Sequence, residues 1–198
     1  MTIKPVRSIE RELAIKHFRA FLEAMGYVIE GDPAVDSNAS GKDTPTRAVD
    51  AYIEFLTYQQ ERFEATMFPS QSDGMIAATH LEFFSLCCHH MLPYRGVAHI
   101  GYIPDGKVAG LSKLVRILDH YAHRLSIQEQ ITEKVATFIV DQLSAKGCGV
   151  VIEAEHLCLS MRGVRRPNHV TVTSDMRGCF REASVKQEFM ALIDRGRK

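Results

Sequence analysis

The sequence lacks several features that would each assign it to a broad class of protein. Lys and Arg number 24, as do Asp and Glu, so the formal net charge is zero. Nothing global therefore favours a nucleic-acid or membrane-surface partner. No apolar stretch approaches the ~20 residues that span a bilayer, and we find no internal repeat. We expect a soluble, cytoplasmic protein whose anion sites depend on local clusters of basic residues.

A disulfide framework is also poorly supported. The chain has 198 residues and five cysteines, an odd number, and it has no tryptophan. Its charged N-terminal stretch does not contain the apolar segment of a secretory signal. Metal ligation and core packing are therefore the expected uses of the cysteines.

Apolar spacing and turn residues predict an α+β protein. Helices are predicted over residues 8–25 with Ser8 as the N-cap, from Thr44–Pro45, from about Ser112, from about Gln128, and over 184–195 with Ser184 as the cap. Strands are predicted at residues 75–87, 95–103, 149–159 and 169–174. This order indicates an antiparallel sheet with paired helices on one face, preceded by helices.

Two short clusters carry metal-ligating residue types. The first is Cys87-Cys88-His89-His90, and the second contains His156 and Cys158 near the end of a predicted strand. Side chains two apart on a strand share a face. A Cys-x-x-His pair plus a remote cysteine would give zinc three ligands and leave a fourth position for water, the catalytic pattern. A four-ligand structural zinc site and plain core packing remain alternatives.

A second group of residues suits a nucleotide. Ser112, Lys113 and Arg116 lie at a predicted helix start, where free N–H groups favour phosphate. Glu129 could accept two N–H bonds from a guanine edge, and Arg162 follows the second metal cluster. A capped, solvated helix start, a carboxylate that only complements a helix dipole, and a solvated turn are the alternatives. The phosphate-binding pattern G-x-x-x-x-G-K-[ST] is absent.

Taken in order, these segments resemble the GTP cyclohydrolase I family. The matching stretches are TPTR at 44–47, CCHHMLPYRG at 87–96, HIGYIPDGKVAGLSKLVRI at 99–117, RLSIQEQIT at 124–132, VVIEAEHLCLSMRGVRRP at 150–167, TVTSDMRGCFRE at 171–182 and QEFM at 187–190. The resemblance implies a tunnelling fold in which protomers form rings, two rings form a homodecamer, and active sites lie at subunit interfaces. It divides the chain into an N-terminal helical segment, 1–70, and a catalytic domain, 71–198.

The resemblance also implies a role for individual residues. Zinc would be held by Cys87, His90 and Cys158, and acid–base chemistry would fall to His89 and His156. The triphosphate would be bound by Ser112, Lys113, Arg116 and Arg162, and the guanine edge by Gln128 and Glu129. The implied reaction opens the imidazole ring of GTP at C8, releases C8 as formate, and closes the rearranged chain to 7,8-dihydroneopterin triphosphate.

The sequence departs from the family pattern at three positions. Cys88 stands where the family usually has Glu, Asp50 stands where a basic residue is common, and Gln130 stands where the family has Arg. Cys88 is therefore a rival to Cys87 as a ligand. Two alternative functions follow from these changes: an enzyme acting on another purine nucleotide, and a catalytically silent zinc-bound ring that acts as a binding partner.

Overall fold

The computed structural model describes residues 9–27, 43–57 and 66–196, and the chain divides into two compact units, residues 1–57 and 58–198. The first unit contains helices α1 (Arg11–Ala24) and α2 (Thr44–Thr57). The predicted cap Ser8 lies outside the described residues. Helix α2 begins at Thr44 as predicted, but Asp43 provides its cap, since the Asp43 carboxylate accepts the Thr46 N–H at 3.0 Å.

Asp50, the unexpected acid of the first unit, has a partner within that unit. The Arg11 guanidinium donates from Nε to Asp50 Oδ1 at 2.6 Å and from Nη2 to Oδ2 at 3.1 Å. The carboxylate is therefore engaged in a two-point ion pair that links α1 to α2.

The second unit is built from strands and helices in the order expected, with additional short elements. They are β1 (Met67–Pro69), β2 (Ile76–Cys87), β3 (Pro93–Ile103), β4 (Lys107–Ala109), α3 (Leu111–Ala122), β5 (Leu125–Ser126), α4 (Gln128–Leu143), β6 (Gly147–His156), α5 (Leu157–Ser160), β7 (Thr171–Gly178), a 3₁₀ turn (Cys179–Arg181) and α6 (Ala183–Arg195). The last helix begins one residue before the predicted cap Ser184, and Glu182 occupies the N-cap position instead.

Five strands form one sheet in the order β5-β2-β3-β6-β7. Neighbouring strands are antiparallel, except that β5 runs parallel to the end of β2. Strands β1 and β4 form a separate two-stranded sheet. The α+β class is confirmed, and the main sheet is mixed because of the two-residue strand β5.

Helices cover both faces of the main sheet. Helices α3 and α4 pack on the face that carries Ile100, Tyr102 and Val150, as expected for paired helices on one face. Helix α6 packs on the opposite face, where a Cβ at Gly101 would lie 2.7 Å from the Phe189 ring. Glycine at that position therefore allows α6 to approach the sheet closely. Among the helices that the structure describes, none is both long enough and apolar enough to cross a membrane.

Candidate metal centre and active site

The end of β2 and the start of α5 bring three potential metal ligands together. One ligand atom each from Cys87, His90 and Cys158 lies within 4.8 Å of the other two, and within the described residues this is the one such group. Cys87 Sγ and His90 Nδ1 are 3.9 Å apart. Two ligands of a tetrahedral zinc, one sulfur and one nitrogen, are separated by roughly 3.6 Å, so the pair is close to the required spacing.

Strand pairing explains how residues so far apart in sequence meet. Tyr94 of β3 pairs with His156 of β6, and Ser85 of β2 pairs with Tyr94, so the ends of these strands lie side by side. The sequence placed Cys158 on a strand; the structure places it on α5, since β6 ends at His156. The turn of α5, rather than strand alternation, directs Cys158 towards Cys87.

The donor set fits zinc. Two sulfurs and one imidazole nitrogen are the ligand types that zinc prefers, and three ligands leave one position for water or substrate. Burial, and next the neighbouring Cys87 sulfur, raise the pKa of the Cys158 thiol. A divalent cation between the two sulfurs would reverse this effect, because coordinated thiols lose their protons. Cys88 does not belong to the group, so the geometry favours Cys87 as the ligand.

Both predicted acid–base histidines lie beside the three ligands. His89 is exposed, and its Nδ1 lies 3.7 Å from Cys87 Sγ. His156 is half-buried, and its ring stacks on the Tyr94 ring with centroids 4.4 Å apart and planes 8° apart. Burial lowers the pKa of His156; the Glu129 carboxylate opposes this shift and His169 adds to it. Sequence reasoning missed the Tyr94 contact, because Tyr94 precedes the strand predicted at 95–103, whereas β3 begins at Pro93.

The two residues predicted to bind guanine have different surroundings. Glu129 is exposed in the first turn of α4, available to a ligand. Gln128 is 1% exposed, and its carboxamide bonds to His156, to two backbone carbonyl oxygens and to Thr173. Guanine recognition stays a prediction for Glu129. The Gln128 carboxamide is instead engaged by neighbouring residues of the protein at both its nitrogen and its oxygen.

The predicted phosphate-binding residues fall into two groups. Arg162 follows α5 and lies close enough to Cys158 to lower the pKa of its thiol, against the larger effect of burial. Ser112, Lys113 and Arg116 lie in the first turns of α3. The beginning of α3 is tied to the other end of the sheet, because the Ala109 N–H donates to the Tyr102 hydroxyl at 2.9 Å.

Helix α3 therefore separates the two groups within one chain. Its C-terminal end leads into β5, where Ser126 pairs with Cys87 at the metal-ligand end of β2. The helix has 12 residues, which corresponds to an axial length of about 18 Å. The structure thus brings His89, His156 and Glu129 near the metal ligands, and it places Ser112, Lys113 and Arg116 at the far end of α3.

Comparison with known proteins agrees with the site. The family model for GTP cyclohydrolase I matches residues 15–194. A protein of Teredinibacter turnerae named GTP cyclohydrolase 1 is 52% identical over 157 residues, covering 76% of this chain and 85% of its own. A protein of the same name from Aquifex aeolicus is 42% identical over 190 residues, covering 94% and 98%.

A solved structure, the archaeosine synthase QueF-Like in the apo form, has a TM-score of 0.46 at 13% identity and covers 55% of this chain and 97% of its own. The sequence relatives assign this α+β chain, with its Cys/His/Cys group beside two histidines, to a family of hydrolases. The chain is a member of the GTP cyclohydrolase I family.

Proposed function

We propose that this protein is a zinc-dependent enzyme that hydrolyses the imidazole ring of GTP to give formate and 7,8-dihydroneopterin triphosphate. The observation that supports it is the group Cys87, His90 and Cys158, whose three ligand atoms lie within 4.8 Å of one another, with His89 next to Cys87. Two waters enter during the two hydrolytic steps and one leaves on ring closure, so no oxidant or reductant is required.

The protein's own residues supply binding and proton transfer. When bound, zinc acts as a Lewis acid and lowers the pKa of a coordinated water towards ~7. His156 first takes up a proton and then delivers it to N7 of the purine as the bond to C8 is hydrolysed, and exposed His89 accepts a proton on the solvent side. The Glu129 carboxylate accepts the guanine N1–H and N2–H, which would orient C8 towards Cys87, His90 and Cys158.

The phosphate-binding residues support an active site shared between subunits. Ser112, Lys113 and Arg116 are separated from Cys87 by the length of α3, about 18 Å, so one chain does not place them beside the base. We propose that the metal end of one subunit meets the α3 N-terminus of a neighbour. The two ends together would hold a nucleoside triphosphate, with Arg162 beside the metal ligands.

The sheet has an edge suited to this assembly. Within the described residues β7 pairs with β6 only, so its other edge has unpaired backbone groups. Val170 and Val172 are 49% and 59% exposed beside that edge. We propose that β7 adds to the sheet of a second copy, producing the ring, and by extension the decamer, of the tunnelling fold. A catalytic domain at 71–198 and a cytoplasmic location stay predictions.

A substrate panel tests the proposal against its alternatives. Zinc-loaded protein is incubated with GTP, dGTP and other purine nucleotides, and formate and oxidised pterin are measured. Both products from GTP support the proposed reaction. Products from a different nucleotide alone favour a diverged enzyme, which Cys88 and Gln130 would explain. Bound zinc and an assembled ring without any product favour the silent binding partner.

A further inference from the structure

The side chain of Gln128 forms a buried junction between α4, β6 and β7. Its Nε2 lies 2.9 Å from the Ile152 carbonyl oxygen and 3.0 Å from the Thr171 carbonyl oxygen. Carbonyl oxygens only accept hydrogen bonds, so this atom is the amide nitrogen and the carboxamide has one possible orientation. Its oxygen, Oε1, faces His156 and lies 2.8 Å from Nε2 of the imidazole.

Two threonine hydroxyl groups hold the junction in the same orientation. Thr132 donates to the Gln128 backbone carbonyl at 2.9 Å. The Thr173 hydroxyl therefore donates to Thr132 Oγ1 at 2.7 Å, and its oxygen lies 3.1 Å from Gln128 Nε2, whose two hydrogens it shares with the two carbonyl oxygens. Both hydrogens of the Gln128 amide nitrogen are taken up by these acceptors, so Gln128 presents an acceptor, and no donor, to His156.

An acceptor at this position determines where the imidazole carries its hydrogen. Because Oε1 of Gln128 cannot donate, His156 Nε2 must carry a proton to make the bond, which leaves Nδ1 as the nitrogen without one in the neutral ring. Stacking on Tyr94 fixes the plane of the ring, and the hydrogen bond fixes its rotation within that plane. Both the tautomer and the orientation of His156 are therefore determined by buried neighbours.

We propose that Gln128 is a positioning residue that holds His156 as the Nε2–H tautomer, so that Nδ1 exchanges the proton with the substrate. The proposal deepens the function given above and rests on it for the identity of the substrate. It assigns Gln128 a role in proton transfer in place of the guanine contact predicted from sequence. Loss of the acceptor lets the ring rotate or change tautomer while the metal ligands stay in place.

A variant pair tests the role in catalysis. Gln128→Met keeps the length of the side chain and removes the acceptor, and Gln142→Met makes the same exchange at an exposed position of α4. We expect Gln128→Met to bind zinc at the wild-type ratio and to lose roughly 10- to 100-fold in kcat, with KM within about threefold. Gln142→Met should match the wild type. Wild-type kcat in a folded Gln128→Met protein would overturn the proposal.

A spectroscopic measurement on the unsubstituted protein covers the case in which Gln128→Met does not fold. Solid-state ¹⁵N spectra of protein labelled in the histidine rings report which nitrogen is protonated, and the His156 signal is identified by its loss in His156→Asn. In mildly alkaline solution, where the imidazole ring is neutral, a protonated Nε2 and an unprotonated Nδ1 are expected. A protonated Nδ1 would overturn the assignment. This readout requires no turnover, so it stands even where the protein proves inactive on GTP.

Discussion

Tyr94 of β3 and His156 of β6 are directly opposite each other in the sheet, and their rings stack with centroids 4.4 Å apart. Tyr94 is 1% exposed, so the stacked face of His156 is protected from solvent. An imidazole that transfers a proton to a substrate must be held within a few tenths of an ångström of its productive position. The aromatic ring of Tyr94, more than its hydroxyl, provides that constraint.

Substitutions at Tyr94 separate these two parts of the side chain. Tyr94→Phe keeps the stacked ring and should retain kcat within about threefold, whereas Tyr94→Leu should lower kcat by roughly 10-fold or more. Zinc content is measured for both variants, since loss of metal would give the same result for a different reason. Equal kcat values in metal-loaded Tyr94→Phe and Tyr94→Leu would show that stacking does not position His156.

Cys158 is expected to be required for both metal binding and turnover. Cys158→Ala removes one of three ligands, so zinc per chain and formate release should fall together. Cys179→Ala is the matched control, because Cys179 is a half-buried thiol that packs with the cluster under α6. A zinc-loaded, active Cys158→Ala protein would show that the ligand assignment is wrong.

Cys88 is expected not to bind the metal. The Cys88 N–H donates to the Ser126 carbonyl oxygen at 3.1 Å, and its sulfur is not among the three grouped ligand atoms. Cys88→Ser should therefore retain one zinc per chain, as measured by elemental analysis. The same substitution at the adjacent residue, Cys87→Ser, should lose the metal. The reverse pattern would make Cys88 the ligand.

Active sites shared between subunits predict complementation. Lys113→Ala and Cys158→Ala should each be inactive, because each removes a component contributed by a different chain. When equal amounts are unfolded together and reassembled, random mixing should restore about one quarter of the wild-type activity. Copurification through a tag on one variant verifies that mixed rings have formed. Mixed rings without activity would mean that both groups act within one chain.

Stability should fall in mildly acidic solution partly because of His120. Burial, and next the Arg124 charge, lower the pKa of His120 in the folded protein. The unfolded chain titrates near ~6.5, so below that pH it binds more protons and the folded state loses stability. Between about pH 7.5 and 5.5, the fall in Tm should be smaller for metal-loaded His120→Gln than for the wild type. The control His17→Gln, at an exposed position of α1, should behave like the wild type; an equal fall in all three proteins would contradict the prediction.

Much of the second unit was predictable because its signals are local. The alternation in 95–103 and the helical spacing from Gln128 each depend on neighbouring residues, and the observed elements agree closely with them. Part of the candidate metal site could be anticipated because Cys87 and His90 occur in one short motif with cysteine and histidine chemistry. Their meeting with Cys158 required strand pairing, which only the family resemblance indicated in advance.

The remaining differences arise from contacts between distant residues. The run GVVIEAEHLCL reads as one strand, and nothing local reveals that β6 ends at His156 and that α5 turns Cys158 towards Cys87. The resemblance assigned Gln128 to the guanine edge, and nothing local in the sequence reveals that its side chain is buried. Gln128 is buried because β7, more than forty residues later in the chain, supplies Thr171 and Thr173 as its partners.

Metal-dependent release of formate from GTP is the decisive test of the proposed zinc-dependent hydrolysis. Protein stripped with a chelator, the same protein reloaded with zinc, and the Cys158→Ala variant are incubated with GTP, and formate and neopterin fluorescence are measured after oxidation and dephosphorylation. We expect equimolar formate and pterin from the reloaded protein and neither product from the other two. Equal product formation by the stripped and reloaded proteins would contradict it.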